Sequence, residues 1–396
     1  MKKDIKSMLP KELEDSFISF GEKSYRAKQV FSWLHKGVLS FDDMTDLSLG
    51  LREKLSEEFF ISKLNLLKKQ VSSDGTIKYL YESSNGAMCE MLFEVEETHR
   101  VTDRVFECSS CLGLSVTVAG GALDIKEHIK HSVYDDSFES VLLDYKHGKT
   151  ICISTQVGCK MGCVFCASSM TGFVRNLTAS EMLDQVLFSG EEAGVIISNI
   201  VLMGMGEPLD NFDNVVRFIE LAREPKGLNI GARHITLSTC GLPEHIDRLA
   251  QYGVQLSLAI SLHAPDDETR SMLMPSNLST GIKAILEASD RYSKKTNRRI
   301  TYEYALIDGI NDTSQHAQKL AKLLKNTGCH LNLIQLSKVN ETGFLPSSKS
   351  KIDKFAEILI DSGISLSTRR SLGADIDAAC GQLRRRNVVN GIMGCD

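Results

Sequence analysis

No run of about 18 or more apolar residues occurs in this sequence, and its start, MKKDIKSMLPKELED, lacks the apolar core of a signal peptide. The chain is therefore expected to be soluble and cytoplasmic, with no membrane partner. A surplus of positive charge is also missing: 46 Lys and Arg stand against 51 Asp and Glu. With a net charge of −5, nothing draws a polyanion to the molecule as a whole, so any nucleic-acid contact must come from local basic patches. Two runs qualify, RYSKKTNRR at 291–299 and RRR at 384–386, although each alone reads as a solvated face. Lacking too is an even, regularly spaced cysteine set. The eleven cysteines are unevenly spread, three of them in one tight group, which speaks against an all-paired extracellular framework and for reactive or metal-bound thiols.

What is present is enough for a sizeable core, since 42% of the 396 residues are hydrophobic. Residues 1–62 carry apolar positions at helical spacing and read as a small helical module with Trp33 in its core. Over 63–95 the pattern turns strand-like, and Ser73-Asp74-Gly75 between KKQV and TIKYLY predicts a hairpin, taken as a linker. From Ile151 onward, the runs ICIST, NIVLMGM, HITLSTC, VQLSLAISL, ITYEYALI, HLNLIQLS and ISLST alternate with segments of helical length at 178–190, 211–223, 278–293, 313–326 and 350–362. Repeated βα units imply an α/β fold with a parallel sheet, either doubly wound or a barrel. The unusual residues stand after successive strands, where barrel enzymes build their sites, so a partial (β/α)6 TIM-like barrel over 139–368 is favoured. A C-terminal segment, 369–396, follows it.

Cys159-Lys-Met-Gly-Cys163-Val-Phe-Cys166 is the strongest motif. Three thiolates from one loop suit iron, yet a four-iron cubane needs four ligands, so one iron is left open. An open iron can be chelated by the amino and carboxylate groups of S-adenosylmethionine (SAM). A zinc loop would instead want a fourth thiolate or histidine nearby. Gly204-Met205-Gly206-Glu207-Pro208 offers a backbone stretch able to approach a ligand and a carboxylate for an ammonium group. Ser238, Ser261, His263 and Asn340 lie near the ends of later strands as small polar groups that can rim one cofactor site. Cys380, in GADIDAACGQL, is a thiol on a Gly-flanked segment suited to visit an active site.

The stretches QVGCKMGCVFCASSMTGFVRNLTASEMLDQV, LMGMGEPLDN, LSTCG, AISLHAPDDETRSMLMP and RRSLGADIDAACGQL resemble the radical SAM RNA methyltransferases of the RlmN/Cfr family across residues 150–386. The helical start and the hairpin look similar as well. This resemblance implies methylation of C2 of an adenine in 23S rRNA and in tRNA, with two SAM consumed per turnover. A Cfr-like enzyme would act on C8 of the same rRNA adenine and usually has alanine where this chain has Pro208, so the proline tilts the expectation to C2. By the resemblance, Cys159, Cys163 and Cys166 hold a [4Fe-4S] cluster. Gly206, Glu207, Ser238, Ser261, Leu262, His263 and Asn340 contact SAM. Cys380 carries the methyl group, Cys152 resolves the RNA adduct through a transient disulfide, and Glu139 accepts the C2 proton. An electron donor such as flavodoxin with its reductase, or ferredoxin, is implied, and a monomer is expected.

The chain departs from the family in two places. After Cys166 it reads Ala-Ser-Ser-Met-Thr-Gly-Phe where Ala-Thr-Gly and then glutamine are more usual. Residues 96–138 look like an insertion. There Cys108, Cys111, His128 and His131 approximate a zinc-finger spacing, though two gaps fall outside the usual ranges. The segment reads either as a zinc knuckle or as an irregular insertion with incidental cysteines. Two other functions compete: a radical SAM maturase or activase, which has no use for Cys152, Cys380 and Glu139, and a non-catalytic iron–sulfur or RNA-binding scaffold.

Overall fold

The computed structural model describes residues 2–83, 105–106, 116–117, 136–145, 148–337, 339–369 and 372–383. Two compact units are distinguished, residues 1–84 with 136–386, and residues 85–135 with 387–396. In the second, Val105–Phe106 pairs antiparallel with Val116–Thr117. The expected zinc residues Cys108, Cys111, His128 and His131 lie outside the described residues, as do 384–386.

The first unit is built on a ten-stranded sheet. Seven strands are parallel neighbours in chain order: Gly148–Cys152, Ile197–Leu202, Ile235–Thr239, Ser257–Ser261, Thr301–Leu306, His330–Gln335 and Leu366–Arg369. Each of the six connections contains a helix, so six βα units carry a closing seventh strand. Buried apolar residues of the middle strands, such as Ile235, Leu237, Leu258 and Ile260, join the main core, as in sheets covered by helices. Local sequence sets the helix ends. Thr178 and Glu181 cap one another at the start of Ala179–Glu192, Pro243 opens Pro243–Tyr252, and Gly253 closes that helix at φ 79°.

The sheet is strongly curved. Arg369, on the last strand, has its Nη1 3.4 Å from Sδ of Met203, just beyond the strand Ile197–Leu202. Those strands are five steps apart in the sheet, and a flat sheet would separate them by roughly 24 Å at about 4.8 Å per step. A direct contact requires the sheet to wrap into the expected partial barrel.

The hairpin Leu64–Val71 and Ile77–Ser83 is part of the same sheet. With Ser137–Tyr145 it forms an antiparallel meander on the edge of Gly148–Cys152. The N-terminal helices Pro10–Ser19, Ser24–Leu34 and Leu49–Glu58 share the main core. They are tied to the barrel by a buried ion pair, Lys6 Nζ to Asp184 at 2.7 Å. Trp33 is only partly buried, because its indole N–H donates to Asp46 near the surface. Among the described residues no helix is long and apolar enough to cross a membrane.

Candidate active site

The C-terminal strand ends surround an open cavity whose void, with the solvent at its mouth included, is about 1060 Å³. Cys159, Cys163 and Cys166 line it. Their loop leaves Gln156–Gly158 and returns as Phe173–Asn176, which pairs antiparallel with it. Gly158, at φ 74°, is indispensable there, since an added Cβ would fall 1.7 Å from the Gly172 carbonyl oxygen. Burial and mutual repulsion push the thiols up, Cys159 to about 12. Such thiols call for a cation to hold them as thiolates. Among the described residues no three His, Cys, Asp or Glu side chains close on a single metal ion. Three thiols from one loop that share a cavity suit a multi-iron group, in which each binds its own metal.

The glycines of Gly204-Met205-Gly206 serve the protein first. An added Cβ at Gly204 would lie 2.6 Å from the Ile153 carbonyl oxygen, and one at Gly206 would lie 2.5 Å from Gln156. They let the second strand end press onto the first, which brings Gly206 and Glu207 to the cavity wall. The Glu207 carboxylate accepts from the backbone N–H of Leu209 at 3.0 Å and of Cys240 at 2.7 Å, and burial raises its pKa. Ser238 and Ser261 line the cavity with hydroxyls 3.5 Å apart. His263 also lines it, at a left-handed φ of 54°. Its Nδ1 accepts from Ala305 N–H at 3.0 Å, its ring meets Phe165 edge-on, and burial depresses its pKa to about 3, so the ring is neutral. Leu262 does not line the cavity with its side chain; its backbone N–H donates to the Glu303 carbonyl. Asn340 opens the turn Asn340–Thr342, and its side chain lies outside the described residues.

A second, smaller cavity lies behind the first and is lined by Cys152, Val141, Leu143 and Tyr145. Cys380 borders both cavities, whereas the cluster-loop cysteines border only the first and Cys152 only the second. Burial, reinforced by Cys380, pushes the Cys152 thiol up to about 12. All seven cysteines among the described residues are free thiols.

Cys380 is exposed, but its segment is pinned. Asp74 Oδ2 accepts from Gly373 N–H at 2.9 Å, and Asp375 accepts from Ser72 Oγ and Ser73 N–H. Lys78 Nζ donates to the Asp377 carbonyl. On the far side Gly381 and Leu383 carbonyls accept from Ala167 N–H and Ser168 Oγ. The unusual Ala-Ser-Ser after Cys166 thus meets the Cys380 segment.

Glu139 borders neither cavity. It is buried on Ser137–Tyr145, on the face that continues into Val141, Leu143 and Tyr145, and pairs with Lys78 Nζ at 3.3 Å. Sequence reasoning missed Lys78, Arg270, Glu303 and Arg369. Buried Arg270 donates to the carbonyls of Leu262, Cys240 and Ser261, knitting two neighbouring strand ends together. The only signal for Glu303 was a lone charge inside the apolar run ITYEYALI. The basic run 291–299 precedes Thr301–Leu306 and so lies at the opposite, N-terminal end of the strands; Arg291 and Lys294 there pair with Asp247 and Asp290.

Residues 153–324 match the model of the Radical SAM superfamily, and residues 3–61 that of the ribosomal RNA large subunit methyltransferase N-terminal domain. A probable dual-specificity RNA methyltransferase RlmN from Clostridium tetani is 44% identical over 380 residues, covering 96% of this chain and 95% of that protein. Its counterpart from Alkaliphilus oremlandii is 44% identical over 98% of this chain and 99% of its own. Among solved structures, a radical SAM methyltransferase from Sphaerobacter thermophilus superposes with a TM-score of 0.81 at 37% identity, covering 97% of this chain and all of that one. Identity of this order over both the helical module and the barrel shows that the chain belongs to the RlmN family of dual-specificity RNA methyltransferases, which are radical SAM enzymes.

Proposed function

We propose that this enzyme methylates C2 of an adenine in 23S rRNA and in tRNA through an S-methylcysteine on Cys380. The observation that carries this reading is the position of Cys380 on the wall shared by the cluster-loop cavity and the Cys152 cavity. A thiol that must be loaded on one side and released on the other belongs there.

Adenine C2 is not nucleophilic, so the base cannot take a methyl group from SAM directly. Cys159, Cys163 and Cys166 would hold a [4Fe-4S] cluster, which would supply the electron for reductive cleavage of SAM. Cys380 does the carrying: its thiolate takes the methyl group of one SAM by nucleophilic substitution. Its S-methyl group would give up a hydrogen atom to the radical that this cleavage yields, the methylene would bond to C2, tethering RNA to Cys380, and the odd electron of the adduct would return to the oxidised cluster. Glu139 accepts the C2 proton, with Lys78 beside it as counter-ion. The Cys152 thiolate attacks the Cys380 sulfur, the sulfur–methylene bond breaks toward the base, the methylene takes up a proton to complete the methyl group, and the two cysteines end as a disulfide for reduction. Gly206, Glu207, Ser238, Ser261, Leu262, His263 and Asn340 hold SAM. The enzyme acts as a cytoplasmic monomer, supplied with electrons by flavodoxin and its reductase or by ferredoxin.

The test is mass spectrometry of ribosomal and transfer RNA from cells lacking the gene. 2-Methyladenosine is expected to be missing, and restored by the intact gene but not by Cys380→Ala. Methylation that survives Cys380→Ala would refute the carrier role.

A further inference from the structure

The strand Thr301–Leu306 carries a single charged side chain, Glu303, and turns it into the cluster-loop cavity. Glu303 is only 4% exposed. Its Oε1 accepts from Asn332 Nδ2 at 2.9 Å, while its Oε2, equally buried, has no hydrogen-bond partner among the described residues. A buried carboxylate oxygen without a donor is costly, and such an atom facing a cavity points to a ligand that brings the donor. Burial pushes this carboxyl up, with the charge of Arg369 and the Asn332 amide acting the other way.

Placement selects the donor. Glu303 borders the cluster-loop cavity but not the Cys152 cavity. In the sheet it stands directly beside Ser261, whose hydroxyl faces that of Ser238. On its other flank stands Asn332, and on the last strand beyond it Arg369 borders both cavities together with Cys380. The amino acid end of SAM belongs at the cluster loop, and its C5′ must reach the methyl group on Cys380. The ribose, one bond from C5′, therefore passes between the loop and Cys380, where the unpartnered oxygen waits.

We propose that Glu303 is a SAM-binding residue whose Oε2 accepts a hydrogen bond from a ribose hydroxyl. This rests on the radical SAM methyltransferase reading and adds to its SAM contacts.

The experiment is equilibrium binding to the anaerobically reconstituted holoenzyme, wild type and Glu303→Gln, with SAM, S-adenosylhomocysteine and the 2′-deoxy and 3′-deoxy forms of the latter. In wild type, one deoxy form is expected to bind about 10- to 100-fold more weakly than S-adenosylhomocysteine, the range of a hydrogen bond to a charged group. Glu303→Gln keeps a carbonyl for Asn332 but turns an amide donor to the cavity. It should weaken SAM and S-adenosylhomocysteine equally and no longer distinguish the deoxy form. Equal binding of all forms by wild type overturns the proposal without any mutant. So does a Glu303→Gln effect on SAM alone, which would assign the carboxylate to the sulfonium, or on the KM for RNA alone, which would assign it to the base. A wild-type holoenzyme that binds no SAM would instead bring down the radical SAM reading itself.

Discussion

The cluster loop and the Cys380 segment both present thiols to one cavity, yet they are held in opposite ways. The loop is local: Cys159, Cys163 and Cys166 fall between two short paired strands, and the amides of Cys159 and Cys166 bond to the carbonyls of Gly172 and Cys163. The Cys380 segment is held from afar by side chains, namely Asp74 and Lys78 of the hairpin, Ser168 beside the loop, and its own Asp375. Under the proposed mechanism the radical source is thus held by backbone bonds, and the carrier mainly by side chains, with one backbone bond from Ala167 N–H to the Gly381 carbonyl.

The sharpest way to break this contrast is to remove one thiol from each side. Cys163→Ala is expected to abolish both reductive cleavage of SAM and methyl transfer, with loss of bound iron. Cys380→Ala should abolish methyl transfer alone. The assay is 5′-deoxyadenosine yield against methyl incorporation, and equal loss of both activities in Cys380→Ala would erase the distinction. A partial defect should follow at Cys152, which shares the second cavity with Cys380. Cys152→Ala should still form the tether but not resolve it, so a protein–RNA adduct accumulates on denaturing gels and turnover stops near one equivalent. No adduct would remove Cys152 from the resolving role.

The same contrast governs what could be read from sequence. The cluster loop was legible because its three cysteines lie at fixed local spacing, and the helix segments because caps such as Thr178 with Glu181 are local too. The hairpin was legible as a hairpin but not as the part of the sheet that grips the Cys380 segment, since Asp74 meets Gly373 across 299 residues. Arg369 reaches Met203 only because the sheet curls, and Lys78 stands beside Glu139 only through the register of two antiparallel strands far apart in sequence. The family resemblance supplied Cys152 and Glu139 where spacing alone could not. The basic run 291–299 shows the converse: composition offers it as a phosphate contact or a solvated face, and topology puts it at the end of the strands opposite the cavity.

A smaller effect tests the fastening itself. Asp375→Ala removes two hydrogen bonds to the hairpin, from Ser72 Oγ and Ser73 N–H. At about 0.5–1.5 kcal/mol each, this should lower methyl transfer by roughly tenfold while leaving SAM cleavage unchanged. A parallel fall in SAM cleavage would mean that the hairpin organises the whole cavity and not the carrier alone.

The mildest perturbation is acid. The Asp375 carboxyl is held below the ordinary range by Ser72 and Ser73. At Asp74, burial works upward but is outweighed by the amide of Gly373 and by Thr76, which bring it down to about 2. Both folded pKa values are depressed, so both groups stabilise the docked segment above the unfolded value near 3.9, and the contribution fades as pH falls through the folded values. No carboxylate holds the amides of Cys159 and Cys166. Hydrogen exchange between pH 5 and pH 2, corrected for intrinsic rates, should therefore show protection lost first at Gly373 and Ser73 and kept at Cys159 and Cys166. Simultaneous loss at all four amides would mean that the carboxylates are not what fastens the carrier.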